Sequence, residues 1–178
     1  MKLIQNTICV DIETTDSNPE IGSIIQLSGI VVGKDFKPMF AREFDTYIKP
    51  LDEYRNIQAM QVNGISEENL INAPSLYEAL EMFESFCGYD KLLAAWGSYF
   101  DVPFLRKQYD KIRRRWPFGH KSFDLKSIAI WETSKKGIDD VKGGLSGYLE
   151  MNGEVFTGTK HNSLDDIKNT VKLMNSFI

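Results

Sequence analysis

Three stretches of this chain carry residues able to do acid chemistry. Asp11-Ile12-Glu13 lies near the start, Trp96-Gly97-Ser98-Tyr99-Phe100-Asp101 in the middle, and His161-Asn162-Ser163-Leu164-Asp165-Asp166 near the end. Carboxylate oxygens are the ligands of hard divalent cations. A histidine beside them adds a base that works near neutral pH. These residue types in combination describe metal-assisted hydrolysis.

Positioning decides whether they can act together. In a strand over 8–13, alternate residues share a face. Cys9, Asp11 and Glu13 then point one way and Ile8, Val10 and Ile12 the other. The two carboxylates sit about 7 Å apart at Cα by strand geometry. A solvent-facing strand edge would also carry acids, but Ile8-Cys9-Val10 has the composition of a central strand. Acids buried at its end need a partner or a metal. Asp101, taken alone, reads as an N-cap, with Pro103 in the first turn of a helix and a stripe of Leu105, Tyr109, Ile112 and Trp116. To meet Asp11 and Glu13 it needs a strand ending at Trp96 and a small-residue turn at Gly97-Ser98. In the last helix, from about Ser163, the core stripe is Leu164, Ile167, Val171 and Met174. Asp166 shares a face with Thr170, Leu173 and Phe177 and leans inward. Asp165 shares one with Asn169, Lys172 and Ser176 and faces water. His161 falls on the loop before this helix.

The remaining elements follow from periodicity. Strands are expected over 24–32 and 40–48, joined by a turn around Gly33-Lys34-Asp35. Ser75 and Glu78 form a capping box before the helical stripe Leu76, Leu80, Phe83 and Cys87. Lys91 to Trp96 is a short buried strand, and helices are expected over 124–131 and 144–151. Strands first, then alternating helix and strand, indicate a mixed α/β sandwich.

The 178 residues are 42% hydrophobic and 26% charged, which suits a globular fold rather than disorder. No apolar run approaches the ~20 residues that span a bilayer. The start of the chain has no signal-peptide character, and Cys9 and Cys87 sit in apolar runs, so a cytoplasmic protein with reduced thiols is expected. The net charge of −4 argues against a nucleic-acid coating protein. Charge is uneven: residues 106–142 hold 11 Lys and Arg against 5 Asp and Glu. A basic flank beside an acidic pocket would suit a polyanion held over metal ions.

Taken in order, these pieces resemble the DEDDh 3′→5′ exonucleases, the DnaQ-like group of the RNase H-like superfamily. The first motif is similar to Val10-Asp11-Ile12-Glu13-Thr14-Thr15, the second to Phe100-Asp101 followed by Phe104-Leu105, and the third to His161 with Asp166. Connecting segments also match: Ile24-Ile25-Gln26-Leu27, Tyr47-Ile48-Lys49-Pro50, and Asn63-Gly64-Ile65-Ser66 before Ala73-Pro74. The likeness spans roughly residues 7 to 175. Three positions depart from it. Trp96-Gly97 stands where the family often has His-Asn, Ser163 where it often has Ala, and Asn63 where a histidine is common.

The resemblance implies an α/β RNase H-like fold, with a central mixed five-stranded sheet flanked by helices, and one exonuclease domain over residues 1–178. It implies two Mg²⁺ or Mn²⁺ ions held by Asp11, Glu13, Asp101 and Asp166, with His161 as the base. Thr14, Thr15, Met60, Asn63 and Phe100 match positions near the terminal nucleotide, although Met60 and Phe100 suit a plain core role equally. The implied activity releases 5′-mononucleotides from single-stranded 3′ ends of DNA or RNA. Action alone and attachment to a polymerase or repair complex both stay open. A different function, a catalytically weak nucleic-acid-binding or complex-forming module of the same fold, would not need all four acids and His161.

Overall fold

A computed structural model of the chain describes residues 7–33, 35, 37–88, 91–138 and 141–177. The strands are β1 (Thr7–Thr14), β2 (Ile24–Val32), β3 (Pro38–Tyr47), β4 (Leu92–Ala95) and β5 (Ser122–Asp124). They form one sheet in the order β3-β2-β1-β4-β5. β2 is antiparallel to β1 and β3, whereas β1, β4 and β5 are mutually parallel. The expected five-stranded mixed sheet is therefore present. Lys34, in the turn expected between β2 and β3, lies outside the described residues.

β1 is central because its apolar run can be covered on both sides. On one face Ile8, Val10 and Ile12 pack with Phe83 of α3 (Leu76–Cys87) and with Phe104, Leu105 and Tyr109 of α4 (Ser98–Lys111). On the other, Cys9, Ile30 and Val32 meet α5 (Leu125–Ser134), α6 (Gly144–Met151) and α7 (Ser163–Asn175). Between β3 and α3 lie two short helices, α1 (Ile57–Asn63) and α2 (Glu67–Ile71). Ile25, Ile65 and Leu70 form a small separate core beneath them.

Two expectations need correction. α4 starts at Ser98, five residues before Pro103, so Pro103 lies inside the helix and Asp101 is not its N-cap. A proline there removes one helical hydrogen bond, to the Tyr99 carbonyl. Both Tyr99 and Pro103 are exposed, so water can satisfy that carbonyl. Phe104, Leu105 and Tyr109, all fully buried, hold the helix despite it. The second correction is Trp116, which lies beyond the end of α4 and packs edge-on against Tyr109 with ring centroids 5.3 Å apart.

Candidate active site

The site begins as a step in the sheet. β4 pairs with β1 only at Thr7, Ile8 and Cys9, so β1 runs on past it as far as Thr14. Open α/β sheets bind ligands outside such strand ends. A cleft of about 750 Å³ lies there, lined by Asp11, Glu13, Asp101, His161 and Asp166. Asp11 and Glu13 share the face of Cys9, as strand alternation requires. Asp101 arrives from the first turn of α4, where its carboxylate takes a hydrogen bond from the Ile12 backbone N–H.

That first turn is capped from outside. Its N-cap, Gly97, has a φ of 90° and no side chain to offer. Asp124, at the end of β5, supplies the missing acceptor: its Oδ1 takes the Gly97 N–H at 3.0 Å and the Ser98 N–H at 3.3 Å. Nothing in the local sequence marks this partnership, because the two residues meet only through the pairing of β4 with β5.

α7 is docked by a polar seam. Ser28 lies opposite Asp11, and Gln26 opposite Glu13, in the β1–β2 register. Ser28 Oγ meets Ser163 Oγ at 2.5 Å and donates to Asp45 Oδ1 at 2.6 Å. Gln26 Oε1 accepts the Ser163 N–H at 3.4 Å. The start of α7 is thus tied to the two β2 residues beside the acids, which brings Asp166 to them. Asp166 Oδ2 also accepts the His161 N–H at 3.0 Å. Glu13, His161 and Asp166 present ligand atoms that all lie within 4.8 Å of one another.

The expectation that Asp165 faces water is not met. Its Oδ2 accepts the Thr159 N–H at 2.8 Å, and Asn169, on the same helix face, is fully buried. At Asp165 and Asn169 this face is polar because it bonds a loop, while Ser176 at its far end is exposed.

The electrostatics suit a set of cation ligands. Asp11 is pushed well above the usual carboxylate range by burial first, then by Asp101, Glu13 and Asp166. Burial, then Asp166 and Asp101, raises Glu13 to about 8. Burial also raises Asp101 to about 8, against the pull of two backbone N–H groups. Asp166 is raised to about 6, mainly by burial. No ion pair among the described residues involves any of the four. Crowded carboxylate oxygens, Asp101 buried and the other three half-buried, with none in an ion pair, fit a hard divalent cation.

Of the positions expected near a nucleotide, Thr14, Asn63 and Phe100 line the cleft. Asn63 also ties the end of α1 to β1 through the Thr14 carbonyl, at 3.2 Å. Thr15 and Met60 do not line the cleft. Thr15 is fully buried, with Oγ1 accepting the Ser23 N–H at 2.9 Å. Met60 packs on the small core of Ile25, Ile65 and Leu70. The basic flank over 106–142 is split between the cleft and a distant surface. Arg113, Arg114 and Arg115 follow the far end of α4, a 14-residue helix, which places them about 20 Å from its first turn at ~1.5 Å per residue. Lys126, from the same flank, lines the cleft, and so does Lys160, which sequence reasoning did not single out. Asp16 was missed as well. Its Oδ2 accepts from Asn56 Nδ2 at 2.9 Å and from Tyr54 Oη at 3.0 Å, which fixes the N-cap of α1 and so one cleft wall.

The RNase_T exonuclease family model matches residues 8–174. The chain belongs to that exonuclease family. The DEDDh likeness of its motifs therefore stands, and its sheet with flanking helices is the RNase H-like exonuclease fold. The exonuclease chain is 30% identical over 112 residues to the DNA polymerase III PolC-type of Streptococcus pneumoniae, which covers 62% of this chain and 7% of the polymerase. It therefore spans a small fraction of that relative. Among solved structures, the nuclease domain of 3′hExo, a DEDDh family member bound to rAMP, superposes with a TM-score of 0.77 at 20% identity, covering 96% of this chain and 90% of that one. E. coli exonuclease I in complex with a dA16 oligonucleotide superposes with a TM-score of 0.80 at 17% identity, covering 96% of this chain and 40% of that one. Two departures from the family pattern acquire local reasons in this exonuclease. Gly97 is capped by Asp124, and Ser163 is bonded to Ser28.

Proposed function

We propose that this chain is a divalent-metal-dependent 3′→5′ exonuclease that releases 5′-mononucleotides from single-stranded 3′ ends of DNA or RNA. The observation that carries the reading is the convergence of four carboxylates and one imidazole in a single cleft, with none of the four in an ion pair among the described residues. Asp11, Glu13, Asp101 and Asp166 would hold two Mg²⁺ or Mn²⁺ ions, which supply positive charge to the phosphate and acidify water. His161, exposed beside Glu13 and Asp166, accepts the proton of the attacking water. The water oxygen joins phosphorus, and the 3′-oxygen of the preceding nucleotide leaves. Phe100, half-buried against Phe104, offers a face for the terminal base, a sequence-tolerant contact worth ~1–3 kcal/mol. Thr14 and Asn63 border the same nucleotide, and Lys126 and Lys160 meet phosphates.

Residues 1–178 would act as one exonuclease domain. Likeness to PolC makes service beside a polymerase, or in a repair complex, one setting for it. Cys9 and Cys87 are both buried, which suits reduced thiols in the cytoplasm. No described helix is long and apolar enough to cross a membrane.

The test is digestion of matched end-labelled DNA and RNA oligonucleotides, single- and double-stranded, in Mg²⁺ and in Mn²⁺. Stepwise loss of mononucleotides from the 3′ end is expected. Internal cuts, or no cleavage in either metal, would sink the reading.

A further inference from the structure

Three side chains from the first two turns of α7 hold the loop over 157–161. Asn169 brackets Thr157: its Oδ1 accepts the Thr157 N–H at 3.0 Å, and its Nδ2 donates to the Thr157 carbonyl at 2.7 Å. Asp165 Oδ2 accepts the Thr159 N–H at 2.8 Å. Asp166 Oδ2 accepts the His161 N–H at 3.0 Å. Every second backbone N–H of the loop is therefore fastened to the helix it precedes. Between two of these anchors Gly158 has a φ of 89°, and a Cβ there would stand 2.4 Å from the Asp165 carboxylate. Only glycine lets the loop lie on that side chain. At the end of the strap, His161 holds a φ of 60°, a left-handed conformation that costs a residue with a Cβ and persists only where neighbours enforce it.

We infer that Asp165 and Asn169 are positioning residues for His161. Neither lines the cleft. They act through the strap, which fixes where the imidazole stands over Glu13 and Asp166. The inference rests on the reading of His161 as the proton acceptor.

The test uses the full chain in a His120→Gln background, which leaves His161 as the sole histidine of the two. Asp165→Ala, Asp165→Asn and Gly158→Ala are compared with that parent. One readout is the imidazole C–H resonance of His161. The other is the single-turnover rate on a labelled single-stranded oligonucleotide at saturating Mg²⁺. Asp165→Ala and Gly158→Ala should move the resonance towards that of free histidine. Both should slow hydrolysis by about 10-fold or more, since misplacing a reacting group by ~1 Å can cost ~100-fold. Asp165→Asn keeps an oxygen for the Thr159 N–H and should stay within ~3-fold of the parent, under ~1 kcal/mol. Gly158 is exposed, so its variant probes the same contact without disturbing the core. An unmoved resonance in Asp165→Ala overturns the strap, whatever the activity. An Asp165→Asn chain as slow as Asp165→Ala overturns it too, because charge rather than hydrogen bonding would then be at work. Failure of the proton-acceptor reading shows separately: His161→Ala at the parent rate removes that role, while the resonance still decides whether the strap holds the ring.

Discussion

Asp11 is opposed by three other carboxylates and held among them by β1, so the metal-free fold carries it at a cost. Asp11→Asn should therefore abolish hydrolysis while leaving the melting temperature in chelator equal or higher; near-parent turnover in Mg²⁺ would show that the acid is no ligand. The same crowding sets a pH dependence with a definite sign. Glu13 and Asp101 are raised to about 8 and Asp166 to about 6, whereas unfolded carboxyls titrate near ~4. Between those values the folded chain binds more protons than the unfolded one, so stability is full below ~4 and is lost as pH rises through ~6 to ~8. Thermal melts in chelator should fall over that window, by on the order of a few kcal/mol, and millimolar Mn²⁺ should restore them. A melt independent of pH from 5 to 8 would mean the acids are already neutralised by something else. At this scale the sequence was informative where periodicity applies. Strand alternation paired Asp11 with Glu13, and the core stripe of α7 turned Asp166 inward. It misled at Asp165 because Asn169 is polar yet buried, and a polar stripe cannot reveal a partner that lies on another segment. The hydroxyl of Thr15 serves the Ser23 N–H, a contact the sequence could not show because it is made only after the chain turns back.

Among the elements, α4 depends on a cap it does not own. Asp124→Ala should cost about 1 kcal/mol, the usual loss for an N-cap, and should also lower activity because Asp101 rides on that turn. Asp124→Asn, still an acceptor for Gly97 and Ser98, should recover most of both, as denaturation curves and single-turnover rates would show. Equal activity in all three proteins would mean that α4 holds its register by packing alone. Long elements with a buried stripe were visible beforehand, as β2 and α3 show. α1 and α2 were not, with seven and five residues and few or no buried positions between them. Too short for two full turns of pattern, they form because Asn56 and Ser66 cap them and the chain around them is fastened elsewhere. β5 has three residues and exists only by pairing with β4. The start of α4 was hidden by Pro103, which normally marks a first turn.

For the whole molecule, the cleft and the arginines at 113–115 lie at opposite ends of α4, so short and long substrates should respond differently to salt. A trinucleotide meeting only Lys126 and Lys160 should bind with a log–log salt slope of about −1.4, two contacts at ~0.7 each for a single strand. A long oligonucleotide with the same slope would confine recognition to the cleft. A free 3′ end should also be required: a 3′-phosphate should block digestion, a 5′-phosphate should not, and a circular single strand should survive, as gel assays would show. The site draws on β1 and on α7, which lie at opposite extremes of the described chain. A chain emerging from the ribosome exposes Asp11 and Glu13 first and completes the constellation only when α7 packs onto the sheet. A chain that stops short of α7 would carry Asp11 and Glu13 without Asp166, so the proposed cleft should be assembled in one step, by the docking of α7.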